Sequence, residues 1–200
     1  MKQRRVSNSP LMDPSVCAVV LIAPDARGLA STVPACSRPN LNRTHSAIVK
    51  AAGIADVPVF ILSRDAPQHG VSLSRDIGIA PAPGQFVVQG HGSPWSHQGF
   101  VDALSAADRS VLILAGFWLE HEILSTALHA LVESYDVYVL LDATLPRSKH
   151  ASEPSRDRLN QAGATLAISS QVIHEWSLET ADASKRAALL ALMPDLVEGE

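Results

Sequence analysis

The sequence predicts a three-layer α/β/α domain built on a mainly parallel six-stranded sheet with the strand order 3-2-1-4-5-6. Short apolar runs alternate with longer amphipathic segments along all 200 residues, and this alternation is typical of repeated β-α units. Several runs are apolar throughout, which is the pattern of strands covered by helices on both faces. A composition with 46% hydrophobic and 18% charged residues also indicates a globular chain long enough to bury a sizeable core.

Each element follows from its local pattern. The apolar runs predict strands at residues 16–23, 57–62, 86–89, 111–115, 137–142 and 165–169. The amphipathic segments predict helices at 40–52, 99–107, 121–134 and 153–162, and a C-terminal pair within 171–192. Gly53 and Gly163 follow two of these helices, as glycine commonly does, and Pro154 is expected in a first turn, where its missing N–H is tolerated. Segments 24–39 and 63–84 match no element, and loops this long are more often functional or oligomer-forming than idle.

The remaining composition restricts location and partners. Residues 1–14 are predicted to be a disordered leader and 15–195 a single domain, because no signal-peptide core follows the basic start. No apolar stretch reaches the roughly 18 residues of a membrane span. A net charge of −4 with scattered Lys and Arg offers no basic stripe for nucleic acid. Cys17 in an apolar run and Cys36 in a loop indicate free thiols, so we expect a cytoplasmic protein that binds neither nucleic acid nor membrane.

Polar residues stand where a parallel sheet usually binds its ligand. The crevice of such a sheet lies beyond the carboxyl ends of the strands, beside the point where strand order reverses. Asp25 follows the first predicted strand, Gln89 ends the third and Glu122 follows the fourth. The predicted order makes the first and fourth strands neighbours. Asp25 and Glu122 are therefore expected to face one crevice.

The segment from Gly116 to Glu122, called the elbow below, passes from a strand directly into a helix. The first N–H groups of that helix are free to face a ligand above the sheet. Many α/β enzymes hold a nucleophile at such a turn. No Ser, Thr or Cys stands between Phe117 and Ile123, so any chemistry here must use other groups.

Three segments resemble the isochorismatase-like cysteine hydrolase superfamily, which includes nicotinamidases, carbamoylsarcosine amidases and isochorismatases. They are residues 19–25, an apolar strand running into Asp; residues 88–95, Val-Gln-Gly-His-Gly-Ser-Pro-Trp; and residues 114–127, which begin Leu-Ala-Gly-Phe-Trp-Leu-Glu-His-Glu. The resemblance extends over roughly residues 15–180 and supports the predicted fold. Segments 158–164 and 172–176 are similar to a branch typified by oligomeric members, which implies a homo-oligomer.

The resemblance also assigns positions. Asp25 matches the catalytic Asp of the family, and Arg27 stands where the family has Gln. Gln89 matches the catalytic Lys, and Glu122 matches the nucleophilic Cys. In the family, the peptide bond that corresponds to Phe117-Trp118 is cis and helps to shape the oxyanion hole. Two of the three catalytic positions are therefore replaced.

A carboxylate pair predicts acid/base chemistry in place of thiol chemistry. Two carboxyl groups in one apolar crevice resist ionising together, so one is expected to be protonated and the other ionised, as general acid/base catalysis needs. Our hypothesis is that Asp25 and Glu122 form this pair and that Gln89 orients substrate or water. The reaction would be a hydrolysis, elimination or rearrangement of a small organic molecule without thiol, cofactor or metal. The expected substrate-binding residues are Trp95, Phe117, Trp118, His121 and Arg27, the first three of which would form an apolar wall.

Structural roles remain open for the same residues. An acidic residue in a first turn is stabilised by the helix dipole alone, which would suffice to explain Glu122. A capping or loop role is the alternative for Asp25, and tryptophans are more often core or interface residues than substrate platforms. The alternative function is accordingly an inactive scaffold or binding protein with the same fold. A thiol amidase would require Cys36 to reach Asp25.

A metal site is disfavoured. His69, His91, His97 and His121 fall in segments expected at the active face. Nicotinamidase-like relatives bind a metal through an Asp and His cluster after the second strand, and residues 63–69 are faintly similar to it. Only one Asp and one His are present there, which is a poor ligand set.

Overall fold

The computed structural model describes residues 9–22, 38–63, 85–87, 93–193 and 196. The strands are β1 (Cys17–Ile22), β2 (Val59–Ser63), β3 (Gln85–Val87), β4 (Val111–Phe117), β5 (Asp136–Leu145) and β6 (Thr165–Ala167). The helices are α1 (Arg38–Ile54), α2 (Gln98–Ala106), α3 (Leu124–Val132), α4 (Lys149–Ala162), α5 (Ser169–Glu179) and α6 (Ala183–Leu190). Short 3₁₀ turns occupy Pro14–Val16 and Pro94–Ser96, and a π-helical turn occupies Leu119–Ile123.

The sheet has the predicted order. Its strands run β3-β2-β1-β4-β5-β6, and every neighbouring pair is parallel. β1 and β4 are neighbours, and their register pairs Cys17 with Val111 and Ile22 with Gly116. The chain therefore leaves β1 beside the point at which β4 enters the elbow.

Helices cover both faces of the sheet, as the uninterrupted apolar strands require. Side chains of β1 alternate between the two cores, with Val19 and Leu21 on one face and Ala18 and Val20 on the other. The first core is closed by α1, α5 and α6, and the second by α2, α3 and α4. The predicted three-layer α/β/α architecture is confirmed.

Several element bounds differ from the prediction. β4 and β5 are both longer than expected, and the predicted helix 121–134 is a π-helical turn followed by α3. α4 begins at Lys149 because the Ser148 hydroxyl caps it, accepting from the backbone N–H of His150. Pro154 therefore lies inside α4, so its predicted place in a first turn was wrong.

The predicted leader is partly ordered. Residues 9–14 lie against α5, where the Ser9 hydroxyl donates to Glu179 Oε1 (2.7 Å) and the Met12 N–H donates to Glu175 Oε2 (2.8 Å). Met12 is buried in the first core. The expectation of disorder is therefore wrong for residues 9–14, and residues 1–8 lie outside the described residues.

Candidate active site

The elbow starts at Gly116, where the side chain of any other residue would collide with a neighbouring strand. Gly116 has φ +119°, a region that side chains disfavour. A Cβ at this position would collide with the backbone of Ile22 on β1. The Phe117–Trp118 peptide bond that follows is cis, as the resemblance implied. The close approach of β1 thus fixes where the elbow begins.

Glu122, the last residue of the elbow, is held by hydrogen bonds to both its side chain and its backbone. Its Oε2 accepts a hydrogen bond from the backbone N–H of Trp118 (3.3 Å). Its own carbonyl oxygen accepts from the hydroxyls of Ser125 (3.2 Å) and Thr126 (2.6 Å). The side chain is half-buried. The carboxylate therefore bends back over the turn to the N–H of the cis peptide.

Glu120 lies two residues away and points elsewhere. Its carboxylate accepts from the backbone N–H groups of Arg147 (3.0 Å) and Ser148 (3.1 Å), directly before α4. Those three bonds tie the elbow to the start of α4. His121, between the two glutamates, is exposed. Of the two acidic side chains in the turn, Glu122 is the one directed to the cis peptide.

Phe117 and Trp118 form a small separate cluster with Leu41 of α1 and Leu145 of β5. The two aromatic rings pack edge to face, with centroids 5.3 Å apart. Phe117 is 2% exposed and Trp118 is 8% exposed. Burial to this degree is typical of core residues, the alternative that the sequence left open for these aromatic side chains.

Trp95 does not join this cluster. Its ring packs with Phe100 (5.7 Å) and Tyr135 (6.4 Å) and stacks on His129 (6.3 Å). Phe100 and Tyr135 belong to the second core, on the other side of the sheet from Phe117, and His129 is exposed. His129 follows Glu122 by seven residues, which is about 10 Å along a helix. The expectation of one aromatic wall formed by Trp95 and the elbow aromatics is therefore wrong.

His45 is a residue near the elbow that the sequence analysis missed. It lies on α1 and is fully buried, and its Nε2 is 2.7 Å from the carbonyl oxygen of Ala143. Its ring packs at 71° against Phe117. Burial lowers the pKa of His45 to about 4. A signal was present, since His45 follows Leu41 by four residues and precedes Ile48 by three, on the apolar face of the helix.

The Cys17 thiol lies at the far end of the sheet. Its partner in the register is Val111, six residues before Phe117, which is about 20 Å along a strand. The thiol donates to the carbonyl of Asp13 (3.1 Å), and burial raises the pKa of Cys17 to about 12. A protonated, buried thiol at that distance does not serve the elbow.

Asp25, Arg27 and Gln89 lie outside the described residues, as do Cys36, His69 and His91. The described part of the chain contains no group of three or more His, Cys, Asp or Glu side chains that could hold a metal ion. His97 lies in that part, where its Nδ1 accepts from the N–H of Phe100 (3.2 Å) and caps α2. No helix among the described residues is long and apolar enough to cross a bilayer.

Comparison with known proteins identifies the family. The isochorismatase domain model matches residues 38–171, and the chain belongs to the isochorismatase family. A curated relative, the probable hydrolase YcaC of Escherichia coli (strain K12), is 36% identical over 77 residues, which are 38% of this chain and 37% of the relative. The matched region thus spans little more than a third of that relative's length.

Solved structures agree over almost the whole chain. The YcaC gene product from Escherichia coli, described as an octameric hydrolase of unknown specificity, has a TM-score of 0.77 and 25% identity, with 96% of this chain and 95% of that chain covered. The MAR1 ribonuclease from Caenorhabditis elegans has a TM-score of 0.78 and 21% identity, with 95% and 94% covered. The second likeness shows the shared fold alone.

Proposed function

We propose that this protein is an isochorismatase-family enzyme that acts on a small organic molecule through carboxylate acid/base chemistry, with Glu122 in the position of the family's nucleophilic Cys. The observation that carries the proposal is the hydrogen bond from the Trp118 N–H to Glu122 Oε2. It holds the carboxylate of the half-buried Glu122 against the N–H of the cis peptide, at the carboxyl edge of the sheet. A ligand crevice is expected at this edge of a parallel sheet.

Asp25 is proposed as the partner of Glu122. Ile22, the last described residue before Asp25, pairs with Gly116 at the start of the elbow. One carboxyl group of the pair would donate a proton and the other would accept one, while Gln89 orients substrate or water. Arg27, His121, Phe117 and Trp118 remain proposed substrate-binding residues. The reaction class is a hydrolysis, elimination or rearrangement that needs no thiol.

Cys17 is unsuitable as a nucleophile at the elbow, because its side chain is buried about 20 Å from the elbow by strand spacing. Glu120 is an unsuitable alternative acid, since its carboxylate is already bonded to the backbone before α4. We also propose that the protein is a homo-oligomer, in line with the octameric description of the YcaC structure from Escherichia coli.

A second candidate is a binding or scaffold protein without catalysis. The same hydrogen bond favours it, because a carboxylate that satisfies the Trp118 N–H also has a purely structural use at a helix start. In that case Glu122 stabilises the elbow, and the crevice holds a ligand or partner without transforming it.

Turnover of a chemical panel distinguishes the two candidates. Purified protein is incubated with small amides, esters and vinyl ethers, and products are detected by mass spectrometry. The proposal predicts at least one converted compound and a loss of about 100-fold or more in kcat for both Asp25→Asn and Glu122→Gln. The matched control is Glu153→Gln on the exposed surface of α4, which is expected to keep full activity. Full activity in both site variants would refute the carboxylate mechanism.

A further inference from the structure

His45 connects α1, β5 and the elbow. It projects from α1, its Nε2 lies 2.7 Å from the carbonyl oxygen of Ala143 on β5, and its ring packs edge-on against Phe117 with centroids 6.2 Å apart. The side chain has no exposed surface. The imidazole of His45, which projects from α1, therefore contacts both β5 and the elbow.

The hydrogen bond determines the form of the ring. A backbone carbonyl only accepts, so Nε2 must carry the proton and donate it. Nδ1 is then an unprotonated acceptor, and it is buried without a hydrogen-bond partner in the part of the chain that the structure describes. An unpaired buried acceptor costs free energy. A packing role alone would be met better by Leu or Phe, so the donor nitrogen is the feature that needs an explanation.

Ala143 lies where β5 returns to register with β4. The pairing shifts between Leu114 and Gly116, whose partners on β5 are Val139 and Thr144. Regular pairing resumes at Thr144, directly after Ala143. The carbonyl held by His45 therefore belongs to the residue directly before β5 resumes its pairing with β4 at the start of the elbow.

We propose that His45 is a positioning residue of the candidate active site, whose Nε2–H holds the Ala143 carbonyl and so fixes the elbow from which Trp118 and Glu122 project. This rests on the proposed function only in taking the elbow as the site. His45 does not touch the reacting atoms. It acts through β5 and Phe117.

The test uses a reporter thiol at the elbow and needs no substrate. Glu122→Cys is made in a Cys36→Ser background and alkylated with iodoacetamide, and the rate is followed by mass spectrometry. The start of a helix activates a correctly placed thiol. His45→Phe keeps an aromatic ring but removes the donor, and it is expected to lower the alkylation rate at position 122 by about tenfold. His45→Gln keeps an N–H donor at similar reach and is expected to stay within about twofold of the parent.

A control reporter separates positioning from general loosening. Ser105→Cys on the exposed surface of α2 is expected to react at one rate in all three His45 backgrounds. Equal rates at position 122 for His, Phe and Gln would overturn the proposal. An equal loss in Phe and Gln would also overturn it, since the donor would then be irrelevant.

A second measurement covers the case in which His45→Phe does not fold. ¹⁵N NMR of the wild-type ring at neutral pH is expected to show a proton on Nε2 and none on Nδ1. A proton on Nδ1 would overturn the proposal. Neither measurement depends on turnover. The carboxylate mechanism can therefore fail in the turnover assay while the His45 proposal holds in these measurements, and the reverse is equally detectable.

Discussion

Replacing His45 with Gln should change how the stability of the fold depends on pH. In the folded protein, burial lowers the pKa of His45 to about 4, against an ordinary value of 6.5. The unfolded chain therefore takes up a proton as pH falls below about 6.5, while the folded chain does not. The stabilisation from keeping His45 neutral is full above pH 6.5 and declines as pH falls towards about 4.

The size of the effect follows from the two pKa values. Each pH unit below 6.5 removes about 1.4 kcal/mol, so the folded state loses about 2 kcal/mol by pH 5 and about 3 kcal/mol by pH 4. His45→Gln has no such titration. We expect it to be less stable than wild type by about 1–2 kcal/mol at pH 7.5 and to close that gap, or reverse it, at pH 5.

The assay is urea unfolding at constant ionic strength, followed by tryptophan fluorescence at pH 7.5 and pH 5. Ile48→Val, a buried substitution on the same helix, is the control, because it should destabilise by about 1 kcal/mol equally at both pH values. A stability difference between wild type and His45→Gln that is the same at pH 7.5 and pH 5 would show that His45 does not stay neutral in the folded protein while it takes up a proton in the unfolded chain.

Three further predictions concern residues around the sheet and the elbow. Gly116→Ala should prevent folding, since its Cβ meets the backbone of Ile22. The matched control Gly53→Ala has open space around it, and thermal unfolding should show an unchanged free energy of unfolding or one that is about 0.5–1 kcal/mol higher. Glu120→Gln should lower the free energy of unfolding in urea by about 1 kcal/mol and keep turnover, because Glu120 only holds the backbone before α4. A variant with wild-type stability and no turnover would contradict this structural role. Cys17 should resist iodoacetamide at pH 8 in native protein, because burial raises its pKa to about 12, and rapid labelling without denaturant would contradict its burial.

The architecture could be predicted from the sequence because it follows from local patterns. Strands that are apolar throughout require helices on both faces, and alternation along the chain then leaves few topologies. This reasoning predicts six strands in the order 3-2-1-4-5-6, and the structure has that order. The carboxyl edge of the sheet, and Glu122 at it, followed from the same general rule.

The local geometry of the elbow could not be predicted in this way. The π-helical turn over Leu119–Ile123 depends on the close approach of Ile22 to Gly116 and on the Glu122 side chain reaching back to Trp118. These contacts are tertiary, and residue spacing alone favours an ordinary helix start. The Ser148 hydroxyl caps the early start of α4, and Glu120, which is distant in sequence, also binds the backbone directly before it.

Three-dimensional packing, and not sequence neighbourhood, determines the surroundings of Trp95 and His45. Trp95 follows the third strand in the chain, yet it packs against Phe100 of the second core and stacks on the exposed His129. His45 lies within a predicted amphipathic helix, and its place on the apolar face marks it as a buried polar group that needs a partner. Asking which polar residues fall on apolar helix faces would have found it.

In the proposed mechanism Glu122 supplies the chemistry and no thiol takes part. The most direct test is kcat for one compound converted in the panel, measured side by side for Glu122→Gln and for the double variant Cys17→Ala, Cys36→Ser. We expect a loss of about 100-fold or more for Glu122→Gln and no loss for the thiol-free protein. An inactive thiol-free protein beside a fully active Glu122→Gln would contradict it.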